Sequence, residues 1–297
     1  MNAAAEQPKL DLKTLTAVIV TILSWGSAFA GIRAALAAYS PAHVALLRYG
    51  TASVALAVYA VVTGMKLPAL KDVPGLAGIG LLGIAFYNVA LNYGQTVVPA
   101  ATASFLIASA PVWMAVIAYF LYNERLRMWG WVGSAVSFAG VAVIAMGRSG
   151  RLQVELHALI ILSCALATAI YSLGQKRFLA KYSALQCTAY AIWFGTLCML
   201  PLGSGVAAAV AAAPATATLS VLYIGIVPGA LGYVTWSYAL SRLPASVAGT
   251  FLYLVPAMAL LTGWVWLREV PSPVSLVGGG LVLAGVVLVN QLGKGKR

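Results

Sequence analysis

Carboxylates are scarce in this sequence. The chain holds six, Glu6, Asp11, Asp72, Glu124, Glu155 and Glu269, and each falls in a tail or at the end of an apolar run. The embedded acidic relay that proton-coupled carriers commonly use is therefore missing. Histidine is nearly absent, since His43 and His157 are the only two and both sit near run edges. Without G-x-S-x-G or a base beside a nucleophile, a hydrolase has nothing to work with. No G-x-x-x-x-G-K-[ST] loop occurs, which excludes an in-chain ATP motor of that type. His, Cys and acidic residues nowhere approach ligand spacing, so neither a metal nor a cofactor is expected. The three cysteines, Cys164, Cys187 and Cys198, are odd in number and lie in apolar runs, where they read as packing residues rather than a disulfide framework.

What the chain has in abundance is apolar length. With 62% hydrophobic and 8% charged residues and a mean hydropathy of +0.94, it is expected to be an all-α polytopic membrane protein. A spanning helix needs roughly 20 apolar residues. We read ten such runs, at about 14–37, 41–63, 73–95, 99–122, 129–147, 155–177, 184–201, 216–240, 245–267 and 273–292. They leave tails at 1–13 and 293–297 and no room for a soluble domain. Residues 1–13 carry Glu6, Lys9, Asp11 and Lys13 with no small-residue cleavage site before the first run, so an uncleaved start is expected. Between runs seven and eight, the uncharged stretch from Gly203 to Ala215 reads as a short extracellular loop.

The net charge of +12 would suit nucleic acid, but its distribution suits a membrane. With a cytoplasmic N-terminus, one side holds Lys9, Lys13, Lys66, Lys71, Arg125, Arg127, Lys176, Arg177, Lys181, Arg242, Lys294, Lys296 and Arg297. The other holds Arg33, Arg148, Arg151 and Arg268. This is the positive-inside bias, and it places both termini in the cytoplasm. No nucleic-acid partner is expected.

The stretch from Asn92 to Glu124 occurs twice. A shift of 145 carries Tyr93 onto Tyr238, Pro99 onto Pro244, Ala103 onto Ala248, Pro111 onto Pro256 and Glu124 onto Glu269. Outside it, Gly80 meets Gly225, Gly133 meets Gly278 and Gly140 meets Gly285. So many coincidences in one ungapped frame indicate two copies of one unit, 14–147 and 155–292. Five runs per copy is odd, so the second copy enters from the opposite side and the repeat is inverted. Each copy carries a proline midway along an apolar run, where it frees the carbonyl four residues earlier, Ile107 or Leu252. Matched Pro-interrupted helices point to a binding site near the bilayer midplane; packing kinks are the alternative. Pro228 and Gly229 form a second weak point in run eight.

Polar and aromatic residues inside the runs mark the candidate site. Run one contains Ser24, Trp25 and Ser27. Run two contains Arg48 about two turns from its outer end, read either as paired with carbonyls and helix ends or as acting on a substrate carboxylate. Run three places Asn88, Asn92 and Gln95 on one helix face, and the repeat matches the first two to Tyr233 and Ser237 in run eight. Such residues either bridge helices or line a wet path. Trp25, Tyr87, Trp113, Tyr171, Tyr233, Trp236 and Tyr253 are candidate apolar walls, with Asn88, Asn92 and Ser237 facing an ammonium or carboxylate; packing is the alternative for each. Runs five and ten hold Gly133, Ser137 and Gly140 against Gly278 and Gly285, which indicates close helix packing, within the chain or between subunits.

SWGSAF, SPAHVALLRYG and PAATASFLIASAPVWMAVIAYFLYNERL resemble the EamA-type members of the drug/metabolite transporter superfamily. The family's proline, glutamate and glycines match Pro111, Glu124, Gly133 and Gly140, and again Pro256, Glu269, Gly278 and Gly285; its run-two arginine matches Arg48. Within the family the pattern looks most like the YddG-type aromatic amino acid exporters. The resemblance implies a ten-helix inverted-repeat exporter in a bacterial inner membrane, with a cavity lined by helices 1, 3, 4, 6, 8 and 9 and a small-molecule substrate, amino acids first. Drug or other small-metabolite carriers of the superfamily are the alternative, and a channel a remote one. A neutral aromatic cavity suits zwitterions better than a nucleotide polyanion. The missing relay predicts flux along the substrate gradient without an imposed pH difference, cation coupling through freed carbonyls remaining the alternative.

Overall fold

The structure is a computed structural model that describes residues 11–110, 112–114, 116–117, 128–145, 156–243 and 251–292. Pro111, Glu124, Pro244 and Ala248 lie outside the described residues, as do Arg125, Arg127, Arg148 and Arg151.

The described chain is helical. It comprises α1 (Leu12–Leu36), α2 (Pro41–Thr63), α3, α4 (Ala100–Ile107), α5 (Met128–Ala145), α6 (Leu156–Leu179), α7 (Ala184–Met199), α8, α9 (Val255–Leu267) and α10 (Pro273–Gln291). α3 runs Val73–Gly80, opens into a π-helical turn at Leu81–Phe86 and resumes as Tyr87–Gly94. α8 does the same, with Ala215–Ile224, a π turn at Gly225–Leu231 and Gly232–Arg242. Six of these helices are long and apolar enough to cross a membrane, and four shorter apolar helices accompany them.

Local chemistry sets several ends. Asp11 accepts from the Thr14 N–H at the start of α1, and Ser183 and Gln186 form a reciprocal capping box on α7. Gly64, with φ 64°, ends α2 in the left-handed conformation that favours glycine. Before α3, Lys181 and Tyr182 donate to Asp72 and hold its carboxyl below the usual range, tying this end to the α6–α7 turn. The Gly203–Ala215 stretch, expected as a loop, contains a helix at Val206–Ala212. Alanine has the highest helix propensity, and the run VAAAVAA has no breaker until Pro214.

Burial is inverted relative to a water-soluble protein. Arg48, Asn88, Asn92, Gln95, Gln175, Thr188 and Ser237 are buried, whereas Val54, Val58, Val61, Leu219 and Val265 are exposed. An apolar exterior over a polar interior is what lipid selects, because unsatisfied polar groups are costly in hydrocarbon. Polar seams then join helices. Ser53 and Trp193 link α2 to α7 through Ser53 Oγ to Thr196 Oγ1 at 2.8 Å and Trp193 Nε1 to the Ser53 carbonyl at 3.1 Å. Thr21 in α1 meets Thr235 in α8 at 2.7 Å.

Contacts recur at positions 145 apart. The π turn at 81–86 maps onto 226–231, within the second π turn. α5 and α10 cross within the chain at paired glycines: a Cβ on Gly140 would lie 2.6 Å from the Gly278 carbonyl oxygen, and one on Gly285 would lie 2.4 Å from that of Gly133. The two contacts are reciprocal, Gly140 corresponding to Gly285 and Gly133 to Gly278.

Candidate functional site

α1, α3, α4, α6, α8 and α9 converge on a central cavity, to which α2 adds Arg48. Trp25, Tyr87, Tyr171, Tyr233, Trp236 and Tyr253 all line it. Tyr233 is the hub of the aromatic wall, with ring centroids 5.2 Å from Trp25, 6.4 Å from Tyr49 and 6.5 Å from Tyr171. Trp25 also lies 5.5 Å from Trp236. The polar lining comes from Arg48, Ser104, Thr168 and Ser172 and the tyrosine hydroxyls. Among the described residues no carboxylate contributes to it.

Arg48 is 3% exposed. Its Nε donates to the Ile224 carbonyl at 3.2 Å, and its Nη1 donates to Asn88 Oδ1 at 3.0 Å. Ile224 is four residues before Pro228, whose missing N–H leaves that carbonyl without its helical donor. The guanidinium adds a donor at the carbonyl that loses its α-helical partner to the proline. A guanidinium has five N–H donors, so the pairing to a carbonyl leaves others directed elsewhere, and no acidic side chain among the described residues neutralises the charge.

The amide and hydroxyl candidates take a different place. Asn88 Nδ2 donates to the Ile84 carbonyl at 2.8 Å, so both ends of this amide are engaged. Asn92 Nδ2 donates to the Pro41 carbonyl at 3.0 Å, linking α3 to the start of α2. Ser237 meets Thr188 Oγ1 at 2.8 Å and Gln175 Nε2 at 3.3 Å, joining α6, α7 and α8. Ser24 is buried on the α1 face turned to Gly232 of α8. Asn88, Asn92 and Ser237 bridge helices, Ser24 packs against α8, and none of the four is in the cavity lining. Trp113 is also outside the lining; its ring meets Phe138 of α5 edge-on at 5.1 Å.

Sequence reasoning passed over Thr168 and Ser104. Thr168 precedes Tyr171 and Ser172 by three and four residues, a spacing that places it on their face of α6, so the signal was available. Ser104 precedes Ala108 by four, but nothing in the sequence marks that face of α4 as the lining one.

Both proline-bearing helices are interrupted where the cavity touches them. α4 leaves helical geometry at Ala108 and Ser109, just before position 111, and Ile107, Ala108 and Ala110 line the cavity. In the other half Leu252–Leu254 is a 3-10 turn leading into Pro256, and Leu252, Tyr253 and Pro256 line it. Restoring the missing donor with Pro256→Ala adds a hydrogen bond worth about 1 kcal/mol to the straight form of α9. Substrate exchange in proteoliposomes is expected to slow about fivefold by that figure, with membrane insertion intact. Unchanged exchange in Pro256→Ala and in the Pro111/Pro256 double variant would reduce both prolines to packing features.

At one end of the bundle, Arg33 of α1 pairs with Glu269 after α9 at 3.0 Å and donates from Nη1 to the carbonyls of Gln95 at 2.7 Å and Thr96 at 3.1 Å. Glu269 Oε2 accepts from the Ala100 N–H at 3.1 Å, at the start of α4. The Arg268 and Glu269 amides close α9 on the Trp264 and Gly263 carbonyls, with Arg268 at φ 57°. This cap turns the Glu269 carboxylate toward α1.

Comparison with known proteins agrees with this architecture. The EamA-like transporter family model matches twice, at residues 12–146 and 156–291. A protein of Streptantibioticus cattleyicolor described as "Probable terminal-alkyne amino-acid exporter" is 41% identical over 285 residues, covering 96% of each chain. The transporter YdfC of Bacillus subtilis is 39% identical over 274 residues, covering 91% of this chain and 90% of its own. A crystal structure at 18% identity superposes with a TM-score of 0.63 over 93% of this chain and 95% of that one, a likeness of fold alone. A multi-pass helical bundle around an aromatic-walled cavity, matched along both halves by one transporter model, belongs to the EamA-like transporter family.

Proposed function

We propose that this transporter exports amino acids, including those with apolar and aromatic side chains, from the cytoplasm across a bacterial inner membrane. The observation that carries the reading is the cavity itself: seven aromatic side chains, Phe29 among them, form its walls, Arg48 supplies a fixed positive charge, and no described carboxylate opposes it. Apolar walls take a variety of side chains, while few polar groups fix orientation. The similarity to a protein described as an amino-acid exporter supports the same class.

Export proceeds by alternating access in a ten-helix inverted repeat, with both termini cytoplasmic. The reciprocal glycine contacts of α5 and α10, the matched π turns and the paired interruptions before positions 111 and 256 support that symmetry. A carrier of this kind saturates with substrate and is accelerated by substrate on the far side, which separates it from a pore.

Purified protein in liposomes preloaded with unlabelled amino acid is expected to accumulate labelled phenylalanine, leucine and propargylglycine by exchange, without an imposed pH difference. No exchange above empty vesicles, together with flux of a cationic drug, would replace amino acids with the drug-carrier reading.

A further inference from the structure

We infer that Gly83 is a specificity-determining residue: by carrying no side chain it lets the Tyr171 ring lie back against α3, and the room so left admits an aromatic cargo. The inference deepens the amino-acid reading and rests on it.

Gly83 lies inside the π turn of α3, and both it and Tyr171 of α6 line the cavity. A Cβ at position 83 would come within 2.2 Å of Tyr171 Cδ2, 2.5 Å of Cγ and 2.8 Å of Cβ. Carbon atoms in contact prefer about 3.5–4.0 Å, so glycine alone permits this approach of ring to backbone. Rotation about χ1 carries the ring atoms away but leaves the tyrosine Cβ where α6 holds it. Nor are the two helices free to part, because they interlock on either side of this contact. Ile161 of α6 seats on Gly94 of α3, where a Cβ would lie 2.4 Å from Ile161 Cγ1. Toward the other end, Phe178 of α6 seats on Gly75 of α3 at 2.6 Å, and Ile79 of α3 on Gly174 of α6 at 2.9 Å. A methyl group at position 83 therefore takes its space from the lumen, directly and by turning the ring away from α3.

A second ring is seated in the same way. Gly232 follows the π turn of α8 and receives Trp25 of α1, with Nε1 2.9 Å and Cδ1 3.0 Å from its Cβ position. The shift of 145 carries α3 onto α8 and α1 onto α6, so each glycine seats a ring from the other half of the chain. Both rings meet Tyr233 edge-on, Trp25 at 5.2 Å and Tyr171 at 6.5 Å between centroids. The apolar width of the cavity beside Tyr233 is thus set by two glycines. Of the two, Gly83 holds the closer contact and is itself part of the lining.

The test is the half-saturation concentration for exchange of phenylalanine and of the slimmer propargylglycine in proteoliposomes. Gly83→Ala is expected to raise the phenylalanine value about tenfold, the scale of one misfitting methylene in an apolar pocket, and the propargylglycine value less than about twofold. Gly232→Ala is expected to move the ratio the same way by a smaller factor. Adding Tyr171→Ala to Gly83→Ala removes the displaced ring and is expected to restore phenylalanine. Gly80→Ala is the packing comparator on the same helix: its Cβ would lie 2.6 Å from the Ala191 carbonyl oxygen, so it is expected to lower thermal stability in detergent without moving the ratio. Should Gly83→Ala fail to insert, Tyr171→Ala alone decides, and it is expected to favour tryptophan over phenylalanine relative to the parent. An unchanged ratio or an equal loss for both amino acids in Gly83→Ala, no recovery in the double variant, or an unchanged tryptophan preference in Tyr171→Ala would overturn the role of Gly83 while leaving amino-acid transport standing. Failure of the parent to exchange either amino acid would overturn both.

Discussion

Replacing Gly285 with leucine is expected to abolish the folded transporter, and replacing it with alanine to destabilise it by about 2–3 kcal/mol. A Cβ at this position would sit 2.4 Å from both the Gly133 carbonyl oxygen and the Ser137 nitrogen. Those are backbone atoms of α5, and they cannot rotate away as a side-chain tip can. The only relief is separation of α5 from α10, which loses the close backbone approach that drives helix association in lipid. Gly140→Ala meets the same obstacle from the other side, at 2.6 Å from the Gly278 oxygen and the Val282 nitrogen. One separation relieves both clashes, so the double alanine variant is expected to cost less than the sum of the singles. Gly280→Ala is the control, because nothing lies within 4 Å of its Cβ position on the same helix. Thermal unfolding of purified protein in detergent, read by loss of the monodisperse peak, checks all five. Equal stability of Gly285→Ala and Gly280→Ala would show that the crossing accommodates a methyl group.

Glu269→Gln is expected to lower exchange at least tenfold while leaving the fold intact. Under alternating access, one end of the cavity must close and reopen in each cycle. Arg33 and Glu269 tie α1, the α3–α4 connection and the end of α9 into one cluster through four hydrogen bonds. Neutralising the carboxylate converts a charge-assisted bond to an ordinary one, a loss of about 1.5–2 kcal/mol, or roughly ten- to thirtyfold in the closed-to-open ratio. The geometry is held under strain: Arg268 adopts a left-handed conformation that costs a non-glycine residue about 1–2 kcal/mol. Such a cost persists where surrounding bonds over-determine it. Arg33→Lys keeps the charge but not the guanidinium fork that spans Glu269 and two carbonyls, so an intermediate loss is expected. A cysteine placed at Thr96 in a cysteine-free background should react faster with a bulky thiol reagent in Glu269→Gln than in the parent. Unchanged exchange with unchanged reactivity would leave the cluster a static brace.

Apolar length, positive-inside charge and the 145-residue frame were all written in the sequence, because lipid acts on composition run by run and needs no tertiary detail. The same holds for Pro256, since a missing N–H interrupts a helix wherever the helix is placed. Rotation of each helix about its axis was not legible. Hydrophobic periodicity reports it in water, but in a bilayer both the outer face and most of the inner face are apolar, so the pattern carries little phase. The amide face of α3 is the case in point. Asn88 and Asn92 lie on one stripe, and the sequence left open whether they met a ligand or another helix; only the approach of Arg48 and the Pro41 carbonyl decided for bridging. Trp113 and Trp25 look alike in the sequence, yet one packs on Phe138 and the other faces the cavity. Arg48 likewise stood out as a buried cation, but its partner at Ile224 lies 176 residues away. The sequence by itself determined which segments enter the membrane and where their backbones break. Packing between the two halves decided which polar groups satisfy one another and which are left facing the cavity.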